Sequence, residues 1–137
     1  MGRNRLLWEP AIYEHKARLI GESVFSVACS ADLLCQALEA EFQTYRADLL
    51  TVGVDVYNVE AEACGAVVAP GEAWSCPEIP EPLFEIEHLP QELDLPPVPE
   101  SGRFQLLLDA GRRTQDALAG QAQVRVAASG PASLAAK

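Results

Sequence analysis

Asp55 is the residue of this chain that is best placed to do chemistry. It follows an apolar run at 49–54, and such a run is typical of a parallel strand that is buried on both faces. Enzymes with α/β folds keep catalytic side chains where these strands end. A carboxylate there can hold a cation, accept N–H bonds from a ligand, or act as a base if its pKa is raised. A structural aspartate that caps the following helical turn is the equally weighted alternative.

Further candidates for contacting a substrate lie at the ends of the predicted strands. They are Trp8, Glu9, Tyr57, Asn58, Glu60, Ser129 and Gly130. Because the carboxyl ends of parallel strands meet at one edge of a sheet, we expect these residues on the same face as Asp55. The turn at 129–131 would also bring backbone close to a ligand, beside a helix N-terminus that attracts anions.

Two other acid and base candidates have simpler interpretations. Glu60 and Glu62 are two positions apart, so on a helix they point to different faces. This spacing favours one solvent contact and one helix cap over a catalytic pair. His15 lies at helical spacing from its apolar neighbours, which favours a partly buried helix residue over a ligand.

Three strands and several helices must position these residues. The predicted elements are, in order, a strand at 5–8, a helix at 10–21, a helix at 31–45, a strand at 49–57, a helical turn at 59–64, a helix at 102–120, a strand at 123–128 and a helix start at 132–137. Ser30 and Ser101 are the expected N-caps of the two long helices. Because strands and helices alternate, we expect parallel strands joined by right-handed crossovers.

The segment at 77–100 interrupts this alternation. It is rich in proline and acidic residues and contains no Lys or Arg. No regular helix or central strand tolerates that density of proline, so a long loop is predicted inside a single domain that spans 1–137. A solvated lid or linker is its simplest interpretation.

The overall composition limits the class of protein. With 137 residues, 49% of them hydrophobic, the chain can bury a sizeable core, and its net charge of −10 repels phosphate backbones, so no nucleic-acid partner is expected. No apolar run is long enough to cross a membrane, and Glu9 and Pro10 interrupt any N-terminal signal peptide, so a cytoplasmic location is expected. The four cysteines form no CxxC pair and are interpreted as reduced, mostly interior thiols.

Three stretches of the sequence resemble the N-terminal part of the uroporphyrinogen decarboxylase superfamily. They are WEPAIYEHKARLIG at 8–21, VGVDVYNVEAEACG at 52–65 and ASGPASLAA at 128–136. Their order and spacing extend the resemblance over 6–137, nearly the whole chain. The superfamily includes decarboxylases of haem synthesis and zinc-dependent methyltransferases that move methyl groups between corrinoid proteins and thiols.

The resemblance implies an α/β fold that forms the N-terminal portion of a (β/α)8 barrel, with about three parallel strands and flanking helices. It places Asp55 where the decarboxylases have a catalytic aspartate that binds the pyrrole N–H groups of the substrate. The decarboxylases also have an arginine-rich motif, RQAGRY, that binds the substrate's carboxylates. The matching stretch here is WEPAIYEHKAR, without the motif's arginines. The stretch VEAEACG is more similar to the methyltransferase branch.

The prediction is therefore a uroporphyrinogen decarboxylase-like protein, part of a corrinoid-dependent methyltransferase that binds a tetrapyrrole or corrinoid-linked substrate. The zinc ligands of that branch lie in the C-terminal half of the family barrel. Zinc and a corrinoid are thus expected only for a complete enzyme, no zinc ligand is assigned to this chain, and the isolated chain is expected to be inactive.

The expected partners are the remainder of a barrel, or a second copy that pairs with the open strand edge, and a corrinoid protein. Two alternatives to the methyltransferase remain open. One is a non-catalytic truncated barrel that acts as a binding or assembly module. The other is a stand-alone uroporphyrinogen decarboxylase.

Overall fold

The protein is described by a computed structural model that covers residues 6–55, 58–85 and 102–130, together with Ser133. Its elements are α1 (His15–Leu19), α2 (Val24–Ala28), α3 (Ala31–Tyr45), β1 (Leu49–Val52), α4 (Asn58–Ala63), α5 (Phe104–Leu118) and β2 (Gln123–Val126). The predicted Ser101 cap, the helix start at 132–137 apart from Ser133, and residues 86–100 of the acidic loop lie outside the described residues.

The strands β1 and β2 pair in parallel, as the alternation of elements predicts. Leu49 aligns with Gln123 and Val52 with Val126. The crossover between them includes α5, which packs on one face of the pair through Gly111. A methyl group added at Gly111 would lie 3.5 Å from Val52 Cγ2 and 3.8 Å from Val126 Cγ2. This small residue therefore brings α5 close to both strands.

The helix α3 forms as its sequence predicts. The hydroxyl of Ser30 accepts a hydrogen bond from the backbone N–H of Leu33 at 3.3 Å, which is the expected N-cap contact. The helix ends where Arg46 adopts a left-handed conformation with φ of 51°. Its apolar row, which includes Leu34 and Leu38, is completely buried in the core. Burial of this row against the neighbouring helices and β1 anchors the fold.

The largest differences from the predicted elements are two shifted boundaries and one additional helix. The strand β1 ends at Val52 because Gly53 takes a φ of 108°, which strand residues do not adopt. The helix α1 begins at His15 rather than at Pro10, since the preceding segment is held against β1 through Glu9. The helix α2 was not predicted, although Ser23 caps it by accepting a bond from the N–H of Ser26 at 3.0 Å.

The predicted strand at 5–8 is not formed in its described part. Leu6 and Leu7 are 91% and 71% exposed and have no regular structure. Only Trp8 is held: its carbonyl accepts from the Asp48 N–H at 2.9 Å, and its N–H donates to the Asp48 carboxylate at 3.0 Å. A single paired residue does not make a strand ladder, so two of the three predicted strands are present in the described chain.

In the portion of the chain that the structure describes, no helix combines the length and the apolar composition that crossing a bilayer requires.

Candidate functional site

A small cavity opens where β1 and β2 end. Its volume is about 20 Å³, and its wall includes the side chains of Asp55, Glu60 and Ser129. These three predicted site residues come from the segment after β1, from α4 and from the segment after β2. The structure thus brings three of the predicted site residues to one cavity, and their role in binding stays a prediction.

Asp55 is the most buried of these groups. Its side chain is 2% exposed, and its Oδ2 accepts a bond from Arg103 Nη2 at 2.8 Å. Its other oxygen, Oδ1, is buried and makes no hydrogen bond of standard geometry to the described residues, although the Asn58 side chain is close enough to act to lower the Asp55 pKa. Asp55 thus contributes a carboxylate with one oxygen bonded to an arginine and one whose nearest described polar neighbour is Asn58.

Arg103 connects Asp55 to two further segments. Its Nε donates to Glu62 Oε2 at 2.6 Å, and its Nη1 donates to the Ala28 carbonyl at 3.5 Å. Sequence reasoning missed this residue. The signal that could have found it is charge: Arg103 is the first Lys or Arg after Arg46, at the end of a long acidic stretch. A lone cation there needs carboxylate partners.

Burial and charge act in opposite directions on these groups. Burial raises the pKa of Asp55 above its ordinary value, although the hydrogen bond and charge of Arg103 act to lower it. Burial also acts to lower the pKa of Arg103, but the bonds to Glu62 and Asp55 outweigh it and leave that pKa raised. Cys29 is an exposed residue, but partial burial of its thiol raises the pKa of that group.

The two glutamates of α4 face different partners, as their spacing predicts. Glu60 Oε1 accepts the backbone N–H of Ser129 at 2.6 Å, which ties α4 to the segment after β2. Glu62 pairs with Arg103 instead. Both therefore hold chain segments in place rather than serving as the predicted solvent contact and helix cap, and they do not form a carboxylate pair with each other.

The structure places the remaining predicted residues elsewhere or leaves them undescribed. Trp8 lies beside Asp48, which precedes β1, so it sits at the opposite end of the strand from Asp55. Asn58 is buried and donates to the Pro77 carbonyl at 2.6 Å, where it fixes the start of the acidic loop. Gly130 is exposed, and Tyr57 lies outside the described residues.

Glu9 belongs to a second group of charged residues on the opposite face of the strands from α5. Its Oε1 accepts from the Thr51 hydroxyl at 2.7 Å and lies 2.6 Å from Arg125 Nη2. Beside it, Lys16 Nζ lies 3.1 Å from Glu41 Oε2 and donates to the Thr51 carbonyl at 2.6 Å. These side chains border a cavity of about 120 Å³. Tyr13 borders both cavities and joins the two regions.

The described residues offer no metal centre. Nowhere in 6–55, 58–85 or 102–130 do three His, Cys, Asp or Glu side chains come together in a group that could hold a metal ion. All four cysteines are free thiols; Cys35 is buried, Cys29 is exposed, and the other two are partly buried. The expectation of mostly interior thiols therefore holds for Cys35 but not for Cys29.

Comparison with known proteins gives two results. The family model for uroporphyrinogen decarboxylase (URO-D) matches residues 10–137. Among solved structures, a methyltransferase from Methanosarcina mazei superposes with a TM-score of 0.71 at 15% sequence identity, covering 88% of this chain and 35% of that one. No curated protein matches. At so low a sequence identity, the structural similarity shows a shared fold and does not extend to function. The chain spans about 35% of the methyltransferase's length.

Proposed function

Because the chain belongs to the uroporphyrinogen decarboxylase family, we propose that it forms one wall of the active site of a methyltransferase-type enzyme of that family. Its α/β fold is the N-terminal part of a (β/α)8 barrel, as the sequence predicts. In such barrels the active site lies at the carboxyl ends of the strands. In this reading Asp55 orients the substrate, and other groups complete the site.

The observation that supports the proposal is the convergence of Asp55, Glu60 and Ser129 on one cavity at the ends of β1 and β2. The Asp55 carboxylate belongs to a residue that lines this cavity, and carboxylate oxygens are acceptors for N–H donors of a ligand. The site is therefore suited to a ligand that presents N–H groups.

The charges of the site favour the methyltransferase branch over decarboxylation of uroporphyrinogen. Arg103 is already paired with two carboxylates, Asp55 and Glu62, so it has little capacity for a substrate carboxylate. The arginines of the RQAGRY motif are absent from this sequence. A substrate rich in carboxylates would meet an excess of negative charge here, which is unfavourable.

The cofactors expected for a complete enzyme differ in how they fit this chain. A cavity of about 20 Å³ cannot enclose a corrinoid, so these residues would contact only one edge of it. A bound corrinoid supplies the carrier for the methyl group, while this chain's own part is to hold and orient the ligand through Asp55. The described residues do not fit a zinc ion, and no step is assigned to one.

A titration of the purified chain with methylcobalamin, followed by NMR, tests the proposal. We expect the amide signals of Gly53, Glu60 and Ser129 to shift, and Asp55→Asn to weaken the binding. Asp109→Asn is the matched control, since Asp109 lies on the exposed face of α5 and pairs with Arg113. Saturable shifts with uroporphyrin III and none with methylcobalamin would contradict the methyltransferase assignment.

A second candidate function, the non-catalytic assembly module, is favoured by the exposure of β2. Gln123, Arg125 and Val126 are exposed in a sheet that has only two strands in the described chain. An unpaired strand edge is a template for another strand. Light scattering distinguishes the two: a stable oligomer of this chain alone, without methylcobalamin binding, would favour the module.

A further inference from the structure

We propose that Arg103 is a positioning residue for Asp55: it holds Oδ2 and so fixes the orientation of the carboxylate at the wall of the cavity. The inference rests on the proposed function, because it assigns a partner to the residue that would orient the substrate. The sequence resemblance assigned no role to Arg103.

The first argument is geometric. The guanidinium group of Arg103 contacts three separate segments: Asp55 after β1, Glu62 in α4 and the Ala28 carbonyl at the end of α2. A guanidinium is planar and presents its donors in fixed directions. Contacts in three directions therefore determine the orientation of the group, and the 2.8 Å bond transmits that orientation to the carboxylate of Asp55.

The second argument is the position of Arg103 in its own helix. It occupies the N-cap of α5, where its side chain makes no capping hydrogen bond, and the first turn contains no acidic residue. A cation at a helix N-terminus opposes the helix dipole, and Ser, Thr, Asp or Asn would cap it better. Arginine at this position is thus unfavourable for the helix itself. Its ion pairs with Asp55 and Glu62 explain why an arginine occupies the N-cap.

The third argument is the balance of charge. Two carboxylates, Asp55 and Glu62, share one cation, and Glu60 adds a further acid to the cavity wall. Glu62 is 30% exposed, whereas Asp55 is 2% exposed. Water stabilises the charge of Glu62, whereas the charge of the buried Asp55 carboxylate is stabilised chiefly by its bond to Arg103. Loss of Arg103 would therefore affect Asp55 more than Glu62.

The test is a carboxyl-carbon NMR titration of Asp55 in the full chain. The charged groups that face Asp55 are Arg103 and Glu62, with the Cys29 thiol nearby. We expect Arg103→Gln to raise the pKa of Asp55, because the opposing charge is lost. We expect Glu62→Gln to lower it, because a like charge is removed and Arg103 is left to Asp55 alone. Opposite shifts from two neighbouring substitutions are not expected from a general loosening of the structure.

Two further variants supply a conservative substitution of Arg103 and a matched control. Arg103→Lys retains the charge but not the planar fork, so it should preserve the fold, shift the Asp55 pKa less than Arg103→Gln, and weaken methylcobalamin binding. Arg113→Gln removes an exposed arginine of α5 and is the matched control, with no effect on Asp55. If Arg103→Gln fails to fold, the Asp55 pKa is measured in Arg103→Lys and Glu62→Gln instead.

Two outcomes separate this inference from the proposed function. An unchanged Asp55 pKa in folded Arg103 and Glu62 variants would overturn the positioning role, whatever the chain binds. Absence of methylcobalamin binding in the unmodified chain would instead contradict the proposed function. In that case the opposite pKa shifts would still show that Arg103 controls the state of Asp55.

Discussion

Two groups of charged side chains, each built around a buried ion pair, lie on this small sheet, and they differ in their balance of acids and cations. The first group, which we call the interior cluster, contains Lys16, Glu41, Glu9 and Arg125, and its two cations match its two acids. The second, the site cluster, contains Arg103 with Asp55 and Glu62, so acids outnumber the cation. The interior cluster lies beside Thr51 in the middle of β1, whereas the site cluster lies beyond its end.

The difference in balance indicates a difference in role. A neutral cluster needs no further partner, so its simplest role is to connect α1, α3 and the strands. In the site cluster the buried carboxylate of Asp55 is balanced by Arg103, and the additional acid, Glu62, is 30% exposed to water. The site cluster therefore keeps one acid in excess on its solvent side, whereas the interior cluster has none in excess. Comparing substitutions in the two clusters tests this interpretation.

The largest effect is expected from breaking the pair between Lys16 and Glu41, whose side chains are 1% and 2% exposed. Burial lowers the pKa of Lys16 and raises that of Glu41, so each charge depends on the other. Glu41→Leu should reduce the free energy of unfolding by about 3–5 kcal/mol, measured by urea denaturation. The double variant Lys16→Met with Glu41→Leu should recover most of that loss. A double variant as unstable as the single one would show that the pair is not the cause.

A smaller effect is expected from Asp55→Asn in the site cluster. The substitution removes one charge from a cluster with an acid in excess, and Arg103 keeps its bond to Glu62. We expect a loss of about 1 kcal/mol or less in the free energy of unfolding, the net value of a typical hydrogen bond. Urea denaturation at neutral pH measures it. A loss as large as that of Glu41→Leu would make the two clusters equivalent and would contradict their assignment to different roles.

The pH dependence of stability should distinguish Asp55 from an ordinary surface acid. Burial raises its folded-state pKa above the ordinary value of 3.8, so its contribution to stability is present below pH 3.8 and is lost as the pH rises through the folded pKa. Asp55→Asn removes this pH-dependent contribution to the free energy of unfolding. The stability of the variant relative to the unmodified chain should therefore increase as the pH rises from 3.8. Asp109→Asn, on the exposed face of α5, should show no such trend.

The smallest effect is expected from Glu60→Gln at the cavity wall. The amide oxygen can still accept the N–H of Ser129, but the bond loses its charge. We expect the free energy of unfolding to decrease by about 0.5–1 kcal/mol, with no change in fold. Hydrogen exchange at the Ser129 amide measures the local effect directly. Unchanged exchange there would show that Glu60 does not fix the segment after β2.

The sequence by itself determined the elements that depend on local chemistry. The Ser30 cap and the apolar row of α3 follow from hydrogen bonding and helical spacing within one segment. The parallel pairing of β1 and β2 follows from the alternation of strands and helices, and this pairing is enough to place Asp55, Glu60 and Ser129 at one cavity. The family likewise follows from the order and spacing of three sequence stretches.

Only the tertiary structure decided which charges meet. Asp55 and Arg103 are 48 positions apart, and no local pattern specifies that they pair. The positions of Trp8 and Glu9 were also decided there, because the segment before α1 starts beside Asp48, contacts Thr51 through Glu9, and borders the cavity of Asp55 at Tyr13. The energy of a buried charge depends on the partners and the solvent that surround it in space. Sequence spacing determines neither, so the difference between the interior cluster and the site cluster becomes visible only in the folded chain.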